Sequence, residues 1–207
     1  MTVPTFAHDL AAAQRGDEAA FEVLWRAVNP GLVRYLRVVA RPAAEDIAAE
    51  TWLQIIRSLA RFRGDEGPFR AWVFTIARNK VIDWHRYESG RPTQDLQPEH
   101  LDIAGADDTE QSALERFSTE RALALIATLP PDMAEIVTLR VVAGLDVAQV
   151  AKLVHKRPGA VRVSSHRALA KLHALLSGAP AELTVSQSAS RSVSQSASRP
   201  ASQNGGM

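Results

Sequence analysis

Three groups of side chains in this 207-residue sequence have types and spacings that can do chemistry. In the first, Arg162, Val163, His166 and Arg167 fall on one face of a helix opened by Pro158 and Gly159. Val161, Ser165, Ala168, Leu169 and Leu172 form the opposite, inner face. A basic helix face with long and short side chains can reach base edges in a DNA groove. Six basic residues and no acid lie between Lys152 and Lys171. The second group interleaves Arg61, Arg63, Arg70, Arg78, Lys80, Arg86 and Arg91 with Phe62, Phe69, Trp72, Trp84 and Tyr87. Cations beside aromatics suit single-stranded nucleic acid, where phosphates pair and bases stack. Trp72 and Phe74 sit in an apolar run and are expected in the core, and burial explains Trp84 as well as stacking does. In the third group, Asp46 and Glu50 stand four residues apart, a spacing open to metal or acid–base work. No histidine has a helpful spacing, so a charged, solvated helix face is the better reading. The six histidines show no metal-ligand spacing with a carboxylate partner. There is no glycine-rich phosphate loop and no serine nucleophile elbow. These observations point away from an enzyme, a metal site or a cofactor.

The elements that must position these groups are all helical. Ala, Leu, Arg and Glu dominate, and period-two runs are missing. A first helix is expected over about Thr5 to Gln14, ending at Gly16. Asp17 can cap a second, with Phe21, Leu24, Trp25 and Val28 on one face. Pro30 kinks that helix or starts another, whose stripe is Leu32, Val33, Leu36 and Val39. Pro42 suits the first position of a helix to about Ala60. Its apolar arc is Ile47, Trp52, Ile55, Ile56 and Leu59, opposite Asp46, Glu50, Leu53, Gln54 and Arg57; Leu53 is out of place there. A turn at Gly64–Pro68 precedes a helix from Phe69 to Tyr87. Helices resume over about Leu114–Leu129, Pro131–Val142, Val147–Val154 and Pro158–Leu176. Asp146 is an N-cap, and a tight turn through His155, Lys156 and Arg157 makes the last pair a helix-turn-helix.

Composition bounds the class. The chain is 46% hydrophobic and 23% charged and has no cysteine, which excludes disulfides and thiolate chemistry. No apolar run approaches the ~18 residues of a membrane span. The first ten residues lack the basic segment of a secretion signal, so a soluble cytoplasmic protein is expected. The net charge of +1 conceals a pattern. Residues 1–90 are near neutral, 91–115 carry seven acids and one arginine, and 116–180 carry nine cations and four acids. The basic block suits a phosphate backbone. Residues 185–191 (Val-Ser-Gln-Ser-Ala-Ser-Arg) recur at 193–199 in a serine-rich tail with nothing to bury, which reads as disordered.

Several segments taken together resemble the extracytoplasmic-function group of bacterial sigma factors. They are Ala44 to Trp52, Phe69 to Asn79, Leu129-Pro130-Pro131, Gly144-Leu145 leading into Val150-Ala151, and Gly159 to Arg162 followed by His166-Arg167-Ala168. Order and spacing over about residues 5–177 carry the likeness. Ala49, Ser164 and the turn His155-Lys156-Arg157-Pro158 depart from the common pattern, and the repeat tail lies outside it.

The resemblance, with the helical pattern, implies an all-α protein of two small helical domains: an N-terminal domain (1–90), an acidic flexible linker (91–113) and a C-terminal domain with the helix-turn-helix (114–178); the composition adds a disordered tail (179–207). It implies recruitment to RNA polymerase core, choice of promoter DNA and help with strand opening, with no catalysis of its own. An anti-sigma factor is a further partner that it admits. Asp46, Glu50, Leu53 and Arg57 would then bind the polymerase core. Arg78, Asn79, Lys80, Trp84 and Arg86 would contact the downstream promoter element during melting. Arg162, Val163, His166 and Arg167 would read the upstream element, with Arg140, Lys156 and Arg157 holding phosphates. The rival reading is a helix-turn-helix regulator that binds duplex DNA without polymerase. A helical metal-dependent hydrolase built on Asp46 and Glu50 is the third.

Overall fold

The computed structural model describes residues 5–90 and 110–177, and every regular element among them is helical. Helix α1 (Phe6–Gln14) ends where Gly16 turns the chain at a φ of +95°, a conformation glycine adopts without a Cβ clash. Asp17 then starts α2 (Glu18–Val39), its carboxylate accepting from the Ala20 amide at 2.9 Å. Pro30 neither ends nor restarts this helix. It lies inside 22 continuous helical residues, and Leu24, Val28, Leu32 and Leu36 keep one buried stripe on both sides of it.

The helix expected from Pro42 is divided. Pro42 lies in a 3-10 turn (Arg41–Ala43), followed by α3 (Ala44–Ser58) and a second 3-10 turn (Leu59–Arg61). The Gln14 side-chain amide donates to the carbonyls of Leu59 and Phe62 at 3.0 and 2.9 Å, tying the end of α1 to this second 3-10 turn. Helix α4 (Glu66–Ser89) starts ahead of the expected Phe69, because Pro68 fits a first turn whose amides have no intrahelical acceptor anyway. Phe62 stacks on Trp72 with centroids 4.9 Å apart, and Phe69 closes against Phe6 at 5.5 Å.

Helix α5 (Glu110–Ala127) begins before the expected Leu114, so 110–113 are helical; the rest of the expected linker lies outside the described residues, as does the tail from 179. Helices α6 (Pro131–Val141), α7 (Val147–Leu153) and α8 (Pro158–Leu176) match their expected bounds to within a residue. Asp146 and Gln149 close a reciprocal capping box at the start of α7, both bonds 2.8 Å. His155, in the turn before α8, holds a left-handed φ of +54°.

The chain thus forms two helical units, α1–α4 and α5–α8, with the helix-turn-helix in the second. They share a core: Tyr35 and Phe74 of the first unit join Ile136, Leu139, Leu145, Val150 and Val161 of the second. A smaller cluster of Ile126, Leu129, Ala134, Val137 and Ala168 takes Val38 of α2 against it. Full burial of such side chains contributes about 1.5–3 kcal/mol each.

Three expected core positions are instead exposed, the first being Trp25 of α2 at 37%. The buried stripe of α3 is Ala44, Ile47, Ala48, Thr51, Trp52 and Ile55, and Ile56, about 100° further round, is 55% exposed. On α8 the buried positions are Val161 and Ala168, and Leu169 turns off that line to 50% exposure.

Candidate polymerase and nucleic-acid surfaces

Helix α3 presents Asp46, Glu50, Leu53 and Arg57 on one exposed stripe, the 4-3-4 spacing keeping them in register along the helix. Leu53 is 53% exposed, and Ile56 beside it makes an apolar pair flanked by charge. Glu50 is not free: Lys80 of α4 donates to its Oε2 at 2.9 Å. Among the described residues no three His, Cys, Asp or Glu side chains come together as a metal site.

The five residues expected to act together on α4 divide between four settings. Asn79 and Arg86 are exposed on the stripe of Thr75 and Asp83, with Arg86 paired to Asp83 at 3.3 Å. Lys80 turns toward α3 and Glu50. Trp84 is half-buried against the core, its ring 4.6 Å from that of His85. Arg78 points the other way, into the joint between the units. Its Nε donates to Glu135 Oε1 of α6 at 2.7 Å, and the two side chains are only 17% and 18% exposed.

Sequence reasoning missed the rest of that joint. The Tyr35 hydroxyl, fully buried, donates to the same Glu135 oxygen at 3.2 Å. Burial, then the neighbouring Glu135 charge, push the Tyr35 hydroxyl well above its ordinary pKa, with Arg78 opposing. Arg37 forms a second bridge, reaching Glu45 of α3 at 3.0 Å and Glu120 of α5 at 2.7 Å. Burial would lower the Arg37 guanidinium, but its bonds and charges from Glu45 and Glu120 raise it overall. Gly31 lets the chains approach: a Cβ there would stand 3.2 Å from the Val142 carbonyl oxygen. The available signal was Tyr35 itself, a polar tip on the stripe of Leu32 and Leu36 that needs a partner.

In the second unit Arg162, Val163, His166 and Arg167 all lie exposed on α8, clear of the buried Val161 and Ala168. Arg157 is exposed at the α8 N-cap position. Lys156 pairs with Asp132 of α6. Arg140 turns inward and donates to the Leu145 carbonyl, so its guanidinium holds the α6–α7 loop. The Ser165 hydroxyl is buried without a hydrogen-bond partner among the described residues.

Residues 24–91 match the family described as Sigma-70 region 2, and residues 119–172 match Sigma-70, region 4. The chain is 38% identical over 173 residues to the ECF RNA polymerase sigma factor SigD of Mycobacterium tuberculosis (strain H37Rv), covering 79% of this chain and 80% of that one. It is 35% identical to the ECF RNA polymerase sigma factor ShbA of Streptomyces griseus, over 79% of this chain and 91% of ShbA. Its fold is similar to that of the sigma factor RpoE in complex with the anti-sigma factor NepR from Bartonella quintana: TM-score 0.55 and 20% identity, over 76% of this chain and 96% of that one. The chain belongs to the ECF sigma factors, which direct RNA polymerase to promoters.

Proposed function

We propose that the protein works through three surfaces in the cytoplasm and does no chemistry of its own. The α3 stripe of Asp46, Glu50, Leu53 and Arg57, widened by Ile56, docks on polymerase core: the apolar pair supplies contact area and the charges set orientation. The exposed α4 stripe around Asn79 and Arg86, together with Arg78 and Lys80, meets the non-template strand of the downstream element, with Trp84 beside it. The face of Arg162, Val163, His166 and Arg167 enters the major groove of the upstream element while Lys156 and Arg157 hold phosphates. Residues 1–90 and 114–178 act as the two functional domains joined by 91–113. An anti-sigma factor, the class of partner bound to RpoE in the similar structure, is a fitting antagonist.

The observation that carries this reading is the exposed basic face of α8, which follows by a tight turn on α7, a helix that a capping box fixes at its start. The test is co-purification with RNA polymerase core followed by transcription from promoter fragments. Stable association and promoter-specific transcripts are expected. Sequence-specific duplex binding by the free protein, with no association to core, would instead mark a stand-alone regulator.

A further inference from the structure

Four acids lie in the basic block 116–180. Glu120 and Glu135 hold Arg37 and Arg78 of the first unit, and the Asp146 carboxylate caps α7. Asp132 differs: it pairs with Lys156, a cation of the helix-turn-helix itself. The pair stands beside the reading face. Lys156 and Met133 border an open groove with Gly159, Ala160, Ser164 and Arg167 of α8. A Cβ on Gly159 would meet nothing within 4 Å, so this side of α8 is open to a partner. The turn fixes where the Lys156 side chain begins: His155 takes its left-handed φ of +54°, and the Lys156 amide donates to the Ala151 carbonyl at 2.9 Å. Asp132 lies in the first turn of α6, where the helix dipole favours a carboxylate. Its side chain is 73% exposed, and an ion pair this open adds little to stability. The consequence of the pair lies in what Lys156 can reach.

We propose that Asp132 is a specificity-determining residue of the upstream contact: it occupies Lys156 in loose, non-specific complexes and releases it to a backbone phosphate only when α8 is seated. This rests on the reading of the α8 face as the DNA contact and of Lys156 as a phosphate holder. Non-specific attraction comes almost wholly from cations that displace counterions along the duplex. A lysine already neutralised by a carboxylate displaces none, and the carboxylate repels the phosphate that approaches it. Base contacts by Arg162 and Arg167 draw α8 into the major groove at the right sequence. A phosphate then reaches Lys156 closely enough to replace Asp132, since the ammonium donors serve either kind of oxygen acceptor. Because the pair is exposed, the freed Asp132 carboxylate returns to water at little cost. A wrong sequence forgoes the base contacts and meets the paired, neutralised lysine. Discrimination thus comes from a repulsive element as well as from attraction.

The test uses holoenzyme reconstituted with the full chain. The probes are a fluorescein-labelled duplex carrying the upstream element of a promoter it transcribes, and the same duplex with that element scrambled. Anisotropy over a salt series gives the affinity and the slope of log K against log salt concentration. Asp132→Asn should tighten binding to the scrambled duplex about fivefold at about 0.15 M salt, which is one further counterion at a slope of about −0.9 each. The scrambled-duplex slope should steepen by about one, while the intact element gains about twofold or less with its slope unchanged. With Lys156→Ala in place, Asp132→Asn should no longer move either slope. Equal tightening of both duplexes by Asp132→Asn would overturn the proposal. So would a slope change that persists with Lys156→Ala, because the carboxylate would then act as a bare charge and not through Lys156. An intact-element slope that Lys156→Ala leaves unaltered would place the failure in the phosphate reading of Lys156. A slope reduced by about one in Lys156→Ala, with no effect of Asp132→Asn on the scrambled duplex, would place it in Asp132.

Discussion

Replacing Tyr35 with phenylalanine removes a single oxygen from the joint between the two units. The ring stays packed on Phe74, while the hydrogen bond to Glu135 at 3.2 Å is lost. A hydrogen bond to a charged group contributes roughly 1.5–3 kcal/mol. This one is long, and Glu135 keeps Arg78 at 2.7 Å, so the lower end applies: about 1.5 kcal/mol. For a chain of this size that corresponds to a fall of about 3–6 °C in Tm. Urea and thermal unfolding followed by circular dichroism at neutral pH measure it directly. The alkaline limb adds an independent check. The folded protein holds the Tyr35 proton above the pH at which the unfolded chain, with a value near 10, releases it. The Tyr35 contribution is therefore fully present below pH ~10 and is lost as pH rises through the raised folded value. Tyr35→Phe should flatten that alkaline loss while lowering stability at pH 7. A variant within about 0.3 kcal/mol of the parent, with the same alkaline slope, would refute the assignment of Tyr35 as a buried donor to Glu135.

Further outcomes follow from the exposed faces. Asp46→Lys with Glu50→Lys should lose polymerase-core binding in a pull-down while changing stability by less than about 0.5 kcal/mol for the exposed Asp46 site; undiminished core affinity would remove the α3 assignment. Asn79→Ala should alter base preference at one downstream position, since an amide reads a base edge where a cation reads charge; permanganate footprints that are unchanged in the Asn79 and Arg86 variants would move the melting site elsewhere. Arg162→Ala or Arg167→Ala should cost roughly 1–3 kcal/mol and relax preference at one upstream base pair, whereas Arg157→Ala should weaken all sequences alike and reduce the salt slope by about one. Equal loss across every promoter variant for Arg162 and Arg167 would make them positioning and not reading residues.

Local chemistry made some of this structure legible and left other parts silent. Asp17, Asp146 with Gln149, and Pro158 each act within a turn of themselves, so α2, α7 and α8 could be placed from their own letters. The exposed α8 face followed from helical period alone. Trp25, Ile56 and Leu169 were misplaced because an apolar side chain says nothing about where its neighbours stop; all three lie just beyond the edge of a narrow buried stripe. Pro30 read as a kink or the start of another helix; the packing of Leu24, Val28, Leu32 and Leu36 carried one helix through it. The joint was the hardest to see. Arg78 pairs with a residue 57 positions away and Tyr35 with one 100 away, and no periodicity encodes a partner at that separation. Within its own segment Arg78 is one of a run of cations beside aromatics, so its sequence context suggests nucleic acid and conceals the carboxylate it holds.

The same separation sets a schedule for synthesis. A ribosome adding about 5–20 residues per second leaves the face of Tyr35 and Phe74 uncovered for roughly 3–12 s after residue 74 is added and before residue 135 is even polymerised. Helices α1–α4 must collapse during that interval with an apolar wall turned to solvent and Arg78 unaccompanied. Nascent chains stalled in this window should therefore bind trigger-type chaperones or hydrophobic dyes more strongly than chains stalled after α8 has emerged. A gene fragment ending near residue 90 should express as an aggregation-prone product for the same reason, unless a partner supplies the missing cover.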